Sequence, residues 1–174
     1  MKLLLQLWKH VPFGKPIRAF MLRQLNDEFL VGVTGVIFNK KNHILVLKHT
    51  YRKTAWSLPG GYLQAKEHPR EGLAREIKEE TGFNVEVLKF LKSRTNRNGR
   101  LDLCYIGRYK SGNFKASEEV SNFKFVTVDN LPKLITDQYD QIAQGLEMKK
   151  ELDFEKRIDA VKSFFPNLLK RITH

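Results

Sequence analysis

At 174 residues the chain suits one domain with short extensions, and its 41% hydrophobic content is enough for a real core; no internal repeat or low-complexity segment is visible. Against 19 acidic residues stand 31 basic ones, a formal charge of +12, which favours anionic partners: nucleotide phosphates, nucleic acid or an anionic membrane. Cys104 is the sole cysteine, so an internal disulfide is excluded; in its apolar run it is expected to pack in the core, in a reducing compartment such as the cytoplasm.

Residues 1–28 form an N-terminal extension. Lys2 and the apolar run behind it resemble the start of a signal peptide, but the run stops at Lys9 and no small-residue cleavage site follows. The run is also too short to span a bilayer, so no transmembrane segment is expected. The reading is a short helix and a Pro12/Pro16 loop packed on the domain, with a basic segment lying on a membrane as the alternative.

Residues 29–38, FLVGVTGVIF, are β-branched and aromatic and predict a buried strand. Lys40, Lys41 and Asn42 make a turn, and Ile44 to Leu47 the return strand of a hairpin. No acid occurs from Phe29 through Lys66, whereas Lys40, Lys41, Lys48, Arg52 and Lys53 supply base. The glycine pair Gly60-Gly61 then allows a sharp turn or a close approach of backbone to ligand.

A short helix is expected next. Pro69 suits its first turn, Glu71 follows where the helix dipole favours an acid, and Gly82 suits a left-handed C-terminal cap. Leu73 and Ile77 mark an apolar stripe. Glu76, Glu79 and Glu80 fall one turn apart on another face, where like charges repel. Oxygen ligands clustered in this way suit a hard divalent cation such as Mg²⁺.

Gly61, five residues, Glu67, seven residues, then Arg75-Glu76-Ile77-x-Glu79-Glu80-x-Gly82-Phe83 resembles the Nudix box, GX5EX7REUXEEXGU with U bulky and apolar; every fixed position is filled. Two neighbours depart from common usage: Lys66 stands where a glycine often precedes the box Glu, and His68-Pro69 follow it. The resemblance implies an α/β fold, the Nudix-type α/β/α sandwich with a mixed curved β-sheet between helices, spanning residues 29–134. It also implies a hydrolase that splits a nucleoside diphosphate linked to another group X, with Mg²⁺ (or Mn²⁺) held by Glu76, Glu79, Glu80 and the carbonyl of Gly60. By the same resemblance Arg75 aims a box carboxylate, Glu67 steadies the box loop, and Arg52 and Lys48, which precede the box, are candidates for substrate phosphate contacts.

Beyond the box, residues 85–91 and 101–109 read as strands joined by a basic turn carrying Arg94, Arg97 and Arg100. Those arginines could grip nucleic acid, although no aromatics interleave them. The acid pair Glu118-Glu119 precedes a strand around Phe123, and a Leu131-Pro132 helix start follows. Relatives of the family carry a further base or metal ligand in such a segment. Glu119 is the candidate general base here, with the box residue Glu79 as the alternative. Residues 135–174 show helical apolar spacing, with Pro166 as a break, and predict C-terminal helices that cover the domain or else form a homodimer face.

The resemblance is read as a Mg²⁺-dependent hydrolase of a small-molecule nucleotide. An RNA 5′-end pyrophosphohydrolase and a non-catalytic Nudix-fold binding module are the alternatives.

Overall fold

The structure is a computed structural model that describes residues 30–96 and 99–164. The expected N-terminal extension, Arg97 and the apolar residues after Phe164 lie outside the described residues. Seven strands make one mixed sheet: β1 Leu30–Phe38, β2 Ile44–His49, β3 Trp56–Ser57, β4 Gly60–Tyr62, β5 Asn84–Asn96, β6 Arg100–Ser111 and β7 Val120–Val126. Helix α1 spans Pro69–Thr81 and helix α2 spans Thr136–Phe164, with a 3-10 turn at Val128–Asn130 before it.

β1 is central. It runs parallel to β6 over its whole length, from Leu30↔Arg100 to Phe38↔Arg108. Its other edge is shared. β2 pairs with it at Phe38↔Ile44, the closed end of the expected hairpin, while β4 takes Gly32, Val33 and Thr34. The hairpin therefore splays, and the glycine pair of β4 lies in the opening.

The continuous apolar runs of β1 and β2 have a simple cause: both faces of the sheet are covered. Val33, Ile37, Leu45, Leu47 and Tyr105 pack with Leu73 and Ile77 of α1. The alternate residues Val36, Phe38, Ile44, Val46, Cys104 and Ile106 pack with Leu134 and with Ile142 of α2. Cys104 is a buried free thiol, and desolvation pushes it up to about 12, as the core assignment expects. Strand alternation thus sorts one sequence into two cores.

Two boundaries differ from the sequence reading. The chain stays non-helical after Pro132, and α2 begins only at Thr136. Leu134 is spent on the core instead, with its N–H bonded to the Tyr139 hydroxyl at 3.1 Å. The C-terminal part is one helix of 29 residues, whose residues 153–160 are exposed. No helix among the described residues is long and apolar enough to cross a membrane.

Candidate active site

α1 is built by local signals. His68 caps its N-terminus by accepting from the Arg70 N–H, Pro69 opens the first turn, and Gly82 closes the helix at φ 76° with its N–H on the Lys78 carbonyl. Lys78 Nζ adds a bond to the Gly82 carbonyl at 3.0 Å. Phe83, the last box position, is buried and meets Tyr109 and Phe123 edge-on. These contacts seat the apolar stripe and leave the acids on the free side.

Arg75 organises that side. Its Nε and Nη2 hold both oxygens of Glu67 at 2.7 and 2.9 Å, a bidentate pair. Its Nη1 reaches Glu76 Oε1 and Glu79 Oε2, each at 2.9 Å, and Nη2 also bonds the Tyr62 carbonyl at 3.1 Å. Glu67 accepts the Gln64 N–H as well, so it ties the loop before α1 to the helix. Bonding to Arg75 holds the Glu67 carboxyl down at about 2 and raises the guanidinium. The repulsion expected among the box glutamates is thus partly neutralised by an arginine of the same helix.

Each of Glu76 and Glu79 gives one oxygen to Arg75 and keeps another. Glu76 Oε2 lies against β4, where a Cβ on Gly61 would sit 2.3 Å from it. Gly61 is glycine so that the carboxylate can come this close. Gly60 is as constrained: its Cβ would meet the Val33 carbonyl oxygen at 2.1 Å.

Glu80 differs from its neighbours. It is 7% exposed, and its Oε2 is buried without a hydrogen-bond partner among the described residues. Desolvation first, then the charges of Glu76 and Glu119, raise its carboxyl to about 8, against the opposing pull of Arg52 and the Gly60 backbone. A buried, unpartnered carboxylate oxygen is costly unless a cation or proton meets it. All the free donors here are oxygens, so the site fits a hard divalent cation. Among the described residues no three acidic or imidazole groups converge to wrap a metal on their own. Mg²⁺ completes its shell with water and substrate oxygens beside the carboxylates that hold it.

The opposite wall comes from the end of β2 and the turn before β7. Thr50 N–H bonds the Glu119 carbonyl at 3.0 Å and Thr50 Oγ1 the Glu118 carbonyl at 2.9 Å. The ladder shifts register between Lys48 and His49 as β2 meets β7. Arg52 donates to Ser57 Oγ and to the Tyr51 hydroxyl, each at 3.2 Å, and Tyr51 donates to Glu119 Oε2 at 3.2 Å. Arg52 and Glu119, both anticipated from sequence, thereby come within electrostatic reach of Glu80.

Lys48 does not join them. It pairs with Trp56, which packs on the α2 side of the sheet, away from the face that carries α1. The basic turn is also partly committed: Arg94 pairs with Asp137, and Arg100 pairs with Asp102 and lies 4.9 Å over the Tyr62 ring. Sequence reasoning missed His49, Tyr51 and Ser57. Their only signal was position, between a buried strand and the glycine pair.

Comparison with known proteins identifies the family. The NUDIX domain family matches residues 28–146. An ADP-ribose pyrophosphatase of Methanocaldococcus jannaschii is 34% identical over 126 residues, covering 68% of this chain and 74% of that protein. A MutT-like protein of Streptomyces ambofaciens is 32% identical over 111 residues, 63% of this chain and 71% of that one. Among solved structures, an ADP-ribose pyrophosphatase from Streptococcus suis superposes with TM-score 0.60 at 25% identity, over 69% of this chain and 91% of its own. With the complete box running from β4 through α1 and the mixed sheet between two helices, the chain belongs to the NUDIX family and is a hydrolase of phosphorus-containing acid anhydrides.

Proposed function

We propose that the chain is a Mg²⁺-dependent pyrophosphohydrolase of a small-molecule nucleotide, cleaving a nucleoside diphosphate linked to another group X between its two phosphates, to give a nucleoside monophosphate and phosphorylated X. The observation that carries this is the buried, unpartnered Oε2 of Glu80, ringed by Glu76, Glu119 and Arg52. Glu76, Glu79 and Glu80 would hold the cation, with the Gly60 backbone beside them. A bound Mg²⁺ supplies neutralisation of the pyrophosphate charge and a more acidic water. Arg75 keeps the Glu76 and Glu79 carboxylates aimed, Arg52 meets a substrate phosphate oxygen, and Glu119 accepts the proton of the attacking water. The buried free Cys104 suits a reducing compartment, and the cytoplasm is the proposed location.

The RNA 5′-end reading draws on the +12 charge. It is the weaker one, because Arg94 and Arg100 are already paired with Asp137 and Asp102. A binding module without catalysis would need no complete box.

A substrate panel tests the proposal: nucleotide sugars, ADP-ribose, nucleoside triphosphates and 5′-triphosphate RNA, with Mg²⁺ and with chelator. Hydrolysis of a diphosphate-linked small nucleotide, lost with chelator and restored by Mg²⁺ or Mn²⁺, is expected. Activity that survives metal removal overturns the mechanism. Turnover of RNA alone, with log affinity falling by about 0.7 per contacted phosphate for each log unit of salt, replaces the substrate assignment.

A further inference from the structure

A hydrogen-bond chain runs from Ser57 through Arg52 and Tyr51 to Glu119, its direction set by a guanidinium that can only donate and a carboxylate that can only accept. The Ser57 hydroxyl lies within hydrogen-bond reach of the Leu58 carbonyl at 3.0 Å and of His49 Nε2 at 2.7 Å. Its oxygen accepts from Arg52 Nη1 at 3.2 Å. The other ring nitrogen of His49, Nδ1, is buried without a partner among the described residues.

From Ser57 the order runs outward. Arg52, pinned by Nη1, aims Nη2 at the Tyr51 oxygen at 3.2 Å. With an Oη lone pair taken, the phenol proton points to Glu119 Oε2, also at 3.2 Å. The backbone of the Glu119 turn is clamped independently: Thr50 bonds the carbonyls of Glu118 and Glu119, and Ser117 Oγ accepts the Val120 N–H at 3.0 Å. Glu119 is thus fixed at its main chain by β2 and at one carboxylate oxygen by Tyr51. Its Oε1 takes no hydrogen bond from the described residues.

We infer that Tyr51 is a positioning residue for Glu119: its hydroxyl, oriented by Arg52 against Ser57, occupies Oε2 and leaves Oε1 as the oxygen that receives the water's proton. This rests on the reading of Glu119 as proton acceptor. In the step, an O–H bond of water breaks and its proton passes to Oε1. The oxygen's electron pair forms the new bond to phosphorus, and the bridging P–O bond breaks with its pair leaving on the departing phosphate. Were both oxygens free to rotate, the accepting lone pair would be misaligned for part of the time, and an error of about 1 Å costs on the order of a hundredfold in rate.

Steady-state kinetics on Tyr51→Phe, Tyr51→Ala, Glu119→Gln and the Tyr51→Phe/Glu119→Gln double variant test the inference. The best substrate of the panel and saturating Mg²⁺ are used. Tyr51 is 61% exposed and phenylalanine keeps the ring, so folding is not at issue. Tyr51→Phe is expected to lower kcat about tenfold with KM unchanged, the usual scale for removing a supporting hydrogen bond. In the Glu119→Gln background the same change should add nothing, because the two groups act as a unit. A Tyr51→Phe enzyme with wild-type kcat overturns the inference, as do equal losses in both backgrounds. Raised KM in Tyr51→Ala beside a silent Tyr51→Phe overturns it too and assigns the ring to stacking on the nucleobase. If Glu119→Gln alone turns over at the wild-type rate, the proton acceptor itself is misassigned, which is a separate failure.

Discussion

α1 and α2 cover opposite faces of one sheet, yet they use charge in opposite ways. α1 has 13 residues, and a single arginine on it meets the sheltered Glu67 and Glu76 and the exposed Glu79. α2 has 29 residues, and its pairs Lys149–Asp153, Lys92–Asp140 and Lys89–Glu155 are spread out and mostly solvated. Exposed pairs contribute about 0–1 kcal/mol each. The α1 cluster shares one guanidinium among three acids, so its members are ordered together, and losing the hub leaves several carboxylates uncompensated. The length of a helix is therefore no guide to where its charges matter.

The largest expected effect follows from breaking the hub. Arg75→Lys keeps a positive charge but cannot hold Glu67 bidentately while reaching Glu76, Glu79 and the Tyr62 carbonyl. Turnover should fall about ten- to a hundredfold, the range for displacing groups that orient ligands. The matching change on α2, Lys149→Ala, should leave turnover unchanged and shift stability by less than about 1 kcal/mol. Equal effects at the two positions, read by kinetics and denaturant titration, would erase the distinction between the helices.

A second contrast lies within the site. Glu80 binds its proton up to about pH 8 in the folded chain and up to 4.5 when unfolded; His49, desolvated and near Arg52, holds its proton only below about 4, against 6.5 unfolded. The folded state therefore holds an extra proton at Glu80 between those limits, and stability falls as pH rises through them. His49 has the opposite sign, since its folded form binds fewer protons, and stability rises with pH from about 4 to 6.5. The two slopes oppose each other between about 4.5 and 6.5. Above that only Glu80 remains, and the stretch to pH 8, at about 1.36 kcal/mol per unit, amounts to roughly 2 kcal/mol. Metal-free protein in chelator should be level across the lower window and lose that much by pH 8 in denaturant titrations. Glu80→Gln should remove the upper slope. A wild-type curve that stays level to pH 8 breaks the assignment of Glu80 as the strained carboxylate.

What could be read from sequence follows the same division. α1 was legible almost entirely, because its caps, its Leu73/Ile77 stripe and its acids are determined by neighbours within one or two turns. Arg52 and Glu119 were legible as residue types in their segments, but not as partners. They meet only when β7 pairs with β2 and brings Glu119 beside Tyr51, 68 positions earlier in the chain. Lys48 and Arg52 looked equivalent in sequence. The strand places Lys48 on the α2 side, and the loop beyond it returns Arg52 to the α1 side. The late start of α2 was hidden because Leu134 is claimed by the core, a tertiary demand that outweighs the helix signal at Leu131-Pro132. Short-range chemistry could be read directly; whatever needed two strands to pair could not.

The smallest effect concerns the two left-handed residues that bracket α1. Gly82, at φ 76°, carries no side chain, and a Cβ there would sit 2.6 Å from the Asn113 carbonyl oxygen. Lys66, at φ 68°, is the other, and it has a Cβ in a conformation that costs a non-glycine residue about 1–2 kcal/mol. This explains why glycine is common at the position before the box glutamate: the turn that presents Glu67 to Arg75 needs a left-handed residue. Lys66→Gly relieves that cost, but glycine gives up about 0.5–1 kcal/mol through the freedom it gains when unfolded. The difference is a stabilisation of about 0.5 kcal/mol, with turnover unchanged because the Glu67–Arg75 pair is untouched. Lys66→Ala removes the same charge and keeps the Cβ, so it should give no gain. Thermal or denaturant unfolding of the two variants side by side reads the difference. If alanine stabilises as much as glycine, the cost at residue 66 lies in its charge within a basic stretch, not in its backbone.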